Sequence, residues 1–348
     1  MKGSYRSLYE FGEMFLGPIL SVYAREVESS AEERLPVCLA REGWLFHKLF
    51  GELKADGLAN FQNEPVYLKV SRTVLLRSLL GDENAWEMAF SAEFRKSTVL
   101  DLLIRRFGFS MHEAFSTLPG EILHRELELP HQAGELREWI KPYKSALAGA
   151  VKPTLEGLQE SFELAGLSQP EIEPLFLDIG YSGTIQKLLT HLLKKDTTGL
   201  YFIALKAGSH NVGTFRAKMS GVFHQGIEWN QGHMLLDRSL LLESLMTAPH
   251  AQVVDVRVSP SGLKYFYGKE APTQKFFQDL DVIFRGAIDE VKRLLAHDIY
   301  YSVSDIEDLY RVMVTTPGAI PKAAWHLFGI DDDFYGNGEL NSLQVFGL

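Results

Sequence analysis

The sequence predicts an α/β protein in which a parallel sheet is flanked by helices and interrupted by a large helical insertion. Two segments, residues 35–50 and 175–189, each combine a short apolar strand, a small turn and an amphipathic helix. Strands that alternate with helices favour parallel pairing, because each helix returns the chain to the same edge of the sheet. Between the two units, residues 81–167 show helical spacing and no convincing strand, which predicts the insertion.

The first part of the chain predicts one helix and two strands. Apolar residues recur at helical spacing from Phe11 to Tyr23, and Gly17-Pro18 interrupts them. We expect a core-packing helix that breaks at the proline, which lacks the N–H of a continuous helix. Residues 35–40 and 66–72 then predict buried strands.

The part after the insertion predicts further strands and a helical end. Residues 199–205 and 220–225 are strand candidates, and residues 253–268 predict a hairpin that turns at Pro260-Ser261-Gly262. Helical spacing follows up to residue 315. We therefore expect residues 1–80 and 168–348 to form the α/β core, and residues 81–167 to form a cap that supplies an acceptor wall.

Composition excludes several classes of protein. The 348 residues carry a formal net charge of -10, which argues against extended contact with a nucleic acid. No apolar run approaches the roughly 20 residues that span a bilayer. The single cysteine, Cys38, excludes an internal disulfide and favours a reducing compartment. We expect a cytoplasmic protein, either free or peripheral at the inner face of the membrane.

The turn after the second unit's strand has the composition of an anion-binding loop. Asp178 ends the apolar strand, small residues follow, and a helix begins near Thr184. Backbone N–H groups at a helix start, together with the helix dipole, attract phosphate. A carboxylate beside them accepts hydrogen bonds from hydroxyls, so a sugar phosphate suits this loop.

A second turn, Arg41-Glu42-Gly43, follows the first unit's strand. If the two strands are neighbours in a parallel sheet, both turns lie at the same edge, where such sheets bind ligands. Each turn alone has an equally good geometric explanation, because glycine and serine occur in many strand-to-helix connections.

Together the two turns resemble the donor site of the type I phosphoribosyltransferases. In that family a strand, an acid and a small turn before a helix hold the ribose and the 5-phosphate of phosphoribosyl pyrophosphate, and an earlier turn cradles the pyrophosphate. The resemblance implies that Ala40, Arg41, Glu42 and Gly43 contact pyrophosphate. It assigns the 5-phosphate to Ser182, Gly183 and Thr184, and the ribose hydroxyls to Asp178.

Two departures shift the expected acceptor. The family commonly has two adjacent acids before the turn, whereas this chain has Leu177-Asp178, and Tyr181 stands where a third acid acts on a nucleobase. The set LAREGW, VSR, DIGYSGTIQ and LLES more closely resembles bacterial polysaccharide-assembly proteins that lie beside, or are fused to, a phosphatase of the haloacid dehalogenase type.

This second resemblance implies a glycan phosphoribosyltransferase of O-antigen or capsule assembly. Such an enzyme transfers 5-phosphoribose to a sugar hydroxyl with inversion and pyrophosphate release. A phosphatase then removes the phosphate, so that a ribofuranosyl residue remains on the glycan. The chain has no Asp-x-Asp nucleophile in a strand context, so the phosphatase is expected to be a separate chain. The expected partners are the donor, a lipid-linked glycan acceptor, that phosphatase and other glycosyltransferases of the pathway.

The candidate catalytic residues are Asp178, Glu42 and Arg41. Arg41 and Arg72 are expected to neutralise the leaving pyrophosphate, and Glu42 has three open roles: metal ligand, base, or partner of Arg41. Magnesium is expected on the donor phosphates, without dedicated protein ligands apart from Glu42. The candidate binding residues are Ala40, Arg41, Gly43, Ser71, Arg72, Asp178, Gly180, Tyr181, Ser182, Gly183, Thr184, Gln186 and Glu243.

Some alternatives stay open on the sequence. A nucleobase or small-amine phosphoribosyltransferase needs the same donor turns, and so does a non-catalytic sugar-phosphate-binding module. Glu243 either faces the site or caps a helix, and Trp229 either stacks on a sugar or packs in the core. The acidic turn at residues 331–339 lacks the spacing of a calcium loop and is expected to be an ordinary turn.

Overall fold

The centre of the computed structural model, which describes residues 3–331 and 339–348, is a six-stranded sheet. Its order is β2-β1-β5-β6-β8-β7; all neighbours pair in parallel except β7, which runs antiparallel to β8. The strands are β1 (Leu35–Leu39), β2 (Val66–Leu68), β5 (Pro174–Asp178), β6 (Thr197–Ala204), β7 (Gly208–Val212) and β8 (Phe215–Gln225). The predicted α/β class with a mostly parallel sheet is confirmed, although β7 was not predicted and β2 is shorter than expected.

Helices from both ends of the chain cover the first face of the sheet, and their side chains form one continuous apolar core with β1, β5 and β6. They are α1 (Gly3–Phe11), a π-helix (Gly12–Leu16), α2 (Gly17–Ala31), α3 (Gly43–Ala55), α15 (Phe277–Ala296) and α16 (Val303–Thr315). Within the described ranges, no helix is both long enough and apolar enough to cross a bilayer.

The expected break at Gly17-Pro18 is wrong in position and kind. The chain stays helical through Pro18, and the irregularity is the π-helical turn immediately before it. The wider turn fits the missing N–H and the bulky ring of the proline. At this turn α15 passes so close that a Cβ on Gly12 would lie 2.0 Å from the Ile283 carbonyl oxygen, and one on Gly286 2.1 Å from that of Tyr9.

The insertion covers the second face of the sheet together with α11, and the two share a core with β1, β2 and β5. Helix α4 (Arg72–Leu79) leads into the insertion, whose helices are α5 (Trp86–Phe90), α6 (Val99–Arg105), α7 (Met111–Thr117), α8 (Gly120–Leu123), α9 (Ala133–Ile140) and α10 (Lys144–Leu164), with 3₁₀ turns at Glu83–Ala85 and Lys141–Tyr143. Helix α11 is Thr184–Leu193. The boundaries at residues 81 and 167 stay a prediction.

The expectation that the insertion lacks strands is wrong. Strands β3 (Phe94–Thr98) and β4 (Glu126–Leu129) pair antiparallel in a small separate sheet. Only alternate residues of β4 are buried, and the charged Arg95 and Lys96 are exposed in β3. Such short, charged segments carry little of the hydrophobic signal that identifies a strand.

The last third of the chain closes one end of the sheet. The predicted hairpin is confirmed as β9 (Val253–Ser259) and β10 (Gly262–Tyr267). The other elements here are α12 (Met234–Asp237), α13 (Ser239–Leu245), α14 (Pro272–Lys275), a 3₁₀ segment (Lys322–Leu327), β11 (Gly329–Asp331), β12 (Glu339–Asn341) and α17 (Ser342–Phe346).

A buried arginine joins the insertion to the hairpin. Arg77 on α4 is completely buried. Its guanidinium donates to Thr154 Oγ1 at 2.9 Å, to the Gly108 carbonyl at 3.0 Å and to Glu113 Oε1 at 2.8 Å. Thr154 in turn donates to Asp255 Oδ1 on β9 at 2.5 Å. Because a buried charge needs every one of these partners, α4, α10 and the hairpin hold a fixed arrangement.

Replacing Arg77 by methionine is expected to lower the free energy of unfolding by about 3–5 kcal/mol, because Asp255 and Glu113 lose a buried counter-charge. Urea titration of R77M against the wild type measures this. The matched control is R95M, at an exposed arginine of the insertion, which is expected to stay within about 0.5 kcal/mol of the wild type. A loss for R77M no larger than that of the control contradicts a central role for Arg77.

Candidate functional site

A cavity of about 620 Å³ opens where β1 and β5 end. The strand order changes direction between these two strands, since the chain goes from β1 outward to β2 and later returns through β5 to β6 and β8. Such a switch point is the usual ligand site of open α/β sheets, and the volume suits a small ligand. The prediction that the two turns meet at one sheet edge is confirmed, because Val37 and Cys38 of β1 pair with Phe176 and Leu177 of β5.

The turn after β1 places Ala40, Arg41 and Glu42 on the cavity wall. Ala40 has a φ of 57°, a left-handed value that a non-glycine residue adopts at a cost and that is often found at functional sites. Gly43 begins α3 so close to β1 that a Cβ would lie 2.5 Å from the Cys38 carbonyl carbon. Gly43 therefore does not line the cavity itself, but it allows the helix to start beside it.

The turn after β5 contributes Asp178, Gly180, Tyr181, Ser182 and Thr184 to the wall. Helix α11 begins at Thr184, and its first amide groups lie next to the cavity. The hydroxyls of Ser182 and Thr184 are 3.5 Å apart. The turn thus combines hydroxyl groups with a helix start, as an anion site requires.

Two neighbours of this turn that we expected to bind substrate lie away from the cavity. Gly183 precedes α11 at a φ of 66°, and a Cβ there would be 2.2 Å from the Met219 side chain. The Gln186 side chain is fully buried and donates to Thr197 and to the Lys218 carbonyl, while Tyr201 donates to its Oε1 at 2.7 Å. Neither residue is among those that line the cavity, and the Gln186 side chain is held in the core by these bonds.

A third helix also begins at the cavity. Ser71 and Arg72 both line it, and Ser71 caps α4 by accepting from the Val74 N–H at 3.1 Å. The same hydroxyl donates to the Val253 carbonyl at 2.5 Å, so the helix start is tied to the hairpin. Three helices, α3, α4 and α11, therefore direct their positive ends toward one cavity.

Three carboxylates face these helix starts, and two arginines accompany them. Burial raises the pKa of Asp178 well above its ordinary value, and the charge of Glu42 adds to the rise, while the Ile179 N–H and Arg72 oppose it. Asp178 is 6% exposed, and its Oδ1 accepts from the Ile179 N–H at 2.8 Å. The preceding residue, Leu177, is fully buried in the apolar core, so one acid of this strand faces the cavity.

Glu243 lies in the middle of α13 and lines the cavity, so its position excludes the helix-cap alternative. Its Oε1 accepts from the Tyr181 hydroxyl at 2.8 Å. Burial and the nearby Glu42 raise the pKa of Glu243 to about 7, against the opposing effects of Tyr181, Arg72 and Arg41. This carboxyl therefore changes its charge near neutral pH.

Residues outside the two turns also line the cavity, and of these Trp229 was a candidate from the sequence whereas His250 was not. His250 lines the cavity; its Nδ1 donates to the Ala251 carbonyl at 2.9 Å, so its Nε2 is free to accept from the Tyr67 hydroxyl at 2.9 Å. Trp229 is 46% exposed and lies edge-on to Tyr181 with ring centroids 5.6 Å apart. The other lining residues not predicted are Val70, Ile179, Ile185, Leu205, Asp237, Ser239, Leu240, Thr247, Gln252, Val253, Thr273, Ile330, Asp331, Val345 and Phe346. No sequence signal marks them, because they come from many separate segments that only the fold brings together.

The predicted metal arrangement is not decided by this geometry. Within residues 3–331 and 339–348, no group of three or more histidines, cysteines or acids is arranged to hold a metal ion. Magnesium that keeps its waters and binds through phosphate oxygens needs no such group, and Glu42 and Asp178 are the acids that the two strand-end turns contribute to the cavity. Most of the acidic turn that resembles a calcium loop, residues 332–338, lies outside the described residues.

Comparison with models of known protein families and with curated protein sequences gives no match for this chain. The chemistry of the site is therefore inferred from the residues that form it.

Replacing Asp178 by asparagine is expected to stabilise the protein in alkaline solution. A folded-state pKa above the unfolded value means that the free energy of unfolding falls as pH rises from about 4 toward the folded pKa, where the buried acid ionises. Asparagine carries no such penalty, so D178N is expected to raise the Tm by about 2–4 °C at pH 8. The gain should vanish below about pH 4.

Calorimetric scans of both proteins between pH 4 and pH 8 measure this gain. D308N, at an exposed aspartate of α16, is the matched control and should show no pH-dependent gain. A gain for D178N that is independent of pH would mean that the ionised form is not penalised.

Proposed function

We propose that this protein is a phosphoribosyltransferase that transfers 5-phosphoribose from phosphoribosyl pyrophosphate to a sugar hydroxyl of a bacterial glycan. The observation that carries the proposal is one cavity at the switch point of the sheet, lined by two strand-end turns and a single strand-end acid, Asp178. The three helix starts and the two arginines suit a ligand with phosphate at both ends. The carboxylate between them suits the hydroxyls of the ribose.

In this proposal the β5–α11 turn binds the 5-phosphate through Ser182, Thr184 and the first amides of α11. Asp178 accepts hydrogen bonds from the ribose hydroxyls. The buried carboxylate has little contact with solvent, so these hydroxyls supply the hydrogen bonds that water would otherwise provide. The β1–α3 turn, with Arg41 and with Arg72 from α4, receives the pyrophosphate. Magnesium bound to the donor phosphates neutralises part of their charge.

Loss of pyrophosphate leaves positive charge at C1 of the ribose. Arg41 and Arg72 stabilise the departing anion, and the oxygens of Asp178 hold the ribose hydroxyls beside the developing cation. The walls of the cavity limit access of water, which competes with the acceptor for C1. The acceptor hydroxyl then attacks C1 from the face opposite the leaving group, which gives inversion.

A sugar acceptor is favoured over a nucleobase by the residues beside Asp178. Leu177 is in the core and Tyr181 is bonded to Glu243, so this turn offers no further acid for a base nitrogen. The exposed ring of Trp229 at the mouth suits the apolar face of a pyranose. A lipid-linked acceptor, a separate phosphatase and a cytoplasmic location at the inner membrane face belong to the same proposal.

Variants of the two turns are expected to lose affinity for different ligands. S182A/T184V removes hydroxyls from the 5-phosphate turn and is expected to weaken ribose 5-phosphate about tenfold, with a smaller effect on inorganic pyrophosphate. R41A is expected to show the opposite preference, because its guanidinium faces the pyrophosphate. Titration calorimetry with each ligand and magnesium measures both changes.

The matched control is R95A, at an exposed arginine far from the cavity lining, which should leave both affinities unchanged. Turnover is measured as pyrophosphate release from the magnesium complex of phosphoribosyl pyrophosphate. Binding of the donor without release in the presence of any saccharide would favour a binding module, and release driven by purines or pyrimidines would favour a nucleobase enzyme. Failure of the wild type to bind donor, ribose 5-phosphate or pyrophosphate would refute the proposal.

A further inference from the structure

Glu243 lines the cavity from an element that is separate from the two strand-end turns. It belongs to α13, which follows the Trp229 loop and α12, whereas Asp178 and Glu42 stand at the ends of sheet strands. Its side chain is half-buried and lines the cavity next to Ser239 and Leu240. The carboxylate thus reaches the cavity from α13 and meets the β5–α11 turn at Tyr181.

A hydrogen bond fixes the orientation of this carboxylate. The Tyr181 hydroxyl donates to Oε1 at 2.8 Å. In the part of the chain that the structure describes, no hydrogen bond is made to the other carboxylate oxygen, Oε2. Glu243 therefore presents one oriented, unoccupied acceptor oxygen to the cavity.

The surroundings also suit a proton acceptor. The pKa of about 7 means that a substantial fraction of Glu243 is ionised at neutral pH, while its conjugate acid is weak enough to retain a proton. Arg41 and Arg72 are near enough to favour the ionised form, and Glu42 opposes it. Binding of an anionic donor between these groups changes the balance between the ionised and protonated forms of Glu243. The charge of this side chain therefore depends on whether the donor is bound.

Aromatic and apolar groups at the same end of the cavity offer a place for an acceptor sugar. Trp229 packs edge-on to Tyr181 and is 46% exposed. Val345, which is 52% exposed, and Phe346 line the cavity from α17. A pyranose that stacks on Trp229 lies beside the Tyr181–Glu243 pair, because Tyr181 contacts Trp229 through its ring and Glu243 through its hydroxyl.

We propose that Glu243 is the general base that accepts the proton of the acceptor hydroxyl, and that Tyr181 is a positioning residue that orients it. This inference rests on the proposed function. The hydroxyl oxygen donates an electron pair to C1 of the ribose, the C1–O bond to pyrophosphate breaks with its electron pair leaving on pyrophosphate, and the hydroxyl proton passes to Oε2 of Glu243. Deprotonation of Glu243 by solvent completes the cycle.

Replacing Glu243 by glutamine is expected to separate donor binding from transfer. The amide keeps the shape and still accepts from Tyr181, but it cannot take a proton at neutral pH. E243Q is expected to bind the magnesium complex of phosphoribosyl pyrophosphate within about threefold of the wild type, and to release pyrophosphate about 10²-fold more slowly. Release is measured with methyl hexosides as acceptors and with water alone, and binding is measured by titration calorimetry.

The pH profile provides an independent readout. In the wild type, log(kcat) should fall below about pH 7, where Glu243 becomes protonated, and E243Q should lack this acidic limb. Y181F removes a hydrogen bond that lowers the pKa of Glu243, so its acidic limb should move to higher pH while activity survives at alkaline pH. A role of Tyr181 in folding alone would lower the rate at every pH without moving the limb.

The outcomes separate the two proposals. E163Q, at an exposed glutamate of α10, is the matched control and should resemble the wild type throughout. If the wild type neither binds donor nor releases pyrophosphate, the proposed function fails. If the wild type is active and E243Q keeps both its rate and its acidic limb, the assignment of the base is wrong while the proposed function stands.

Discussion

The position of α4 at the cavity depends on the buried charge of Arg77. A guanidinium without solvent contact is stable only where several acceptors surround it, and here they come from the insertion and from the hairpin. Arg77 belongs to α4, whose first residues, Ser71 and Arg72, line the cavity. The hydrogen bonds and ion pairs of buried Arg77 therefore fix the position of α4, whose first residues belong to the proposed donor site.

The architecture of the two strand-end turns was predictable because it follows from local patterns. An apolar strand, a small turn and an amphipathic helix define each unit, and parallel pairing of β1 with β5 then brings Arg41 and Asp178 to one edge. The hairpin at residues 253–267 was equally clear, since its turn residues separate two alternating strands. The same reasoning misplaced Gln186, because polar residues in a helix after a phosphate-like turn give no sign of whether they face ligand or core. Its side-chain amide is hydrogen-bonded to Thr197, to the Lys218 carbonyl and to Tyr201.

The rest of the cavity wall, formed by the last third of the chain, was only partly predictable, for a different reason. Glu243 was recognised as a candidate, but its contact with Tyr181 joins residues 62 positions apart. His250 and Trp229 stand in loops whose paths depend on tertiary packing, and β3 and β4 are too short and charged to show a strand pattern. Sequence patterns report regular structure and local chemistry, whereas a wall assembled from separate loops is specified by long-range packing.

The distance along the chain between segments that line the same cavity has a consequence for how the protein folds. Ala40 and Phe346 line the same cavity, although about 300 positions separate them. Contacts between such remote segments form late, because closing a long loop costs entropy before any contact is gained. We therefore expect the sheet edge with its helix starts to assemble first and the Phe346 side of the mouth to close last. During that interval the sheet edge stands open to solvent, so a ligand of this edge would favour completion of the fold only as far as it binds the closed cavity more tightly than the open edge.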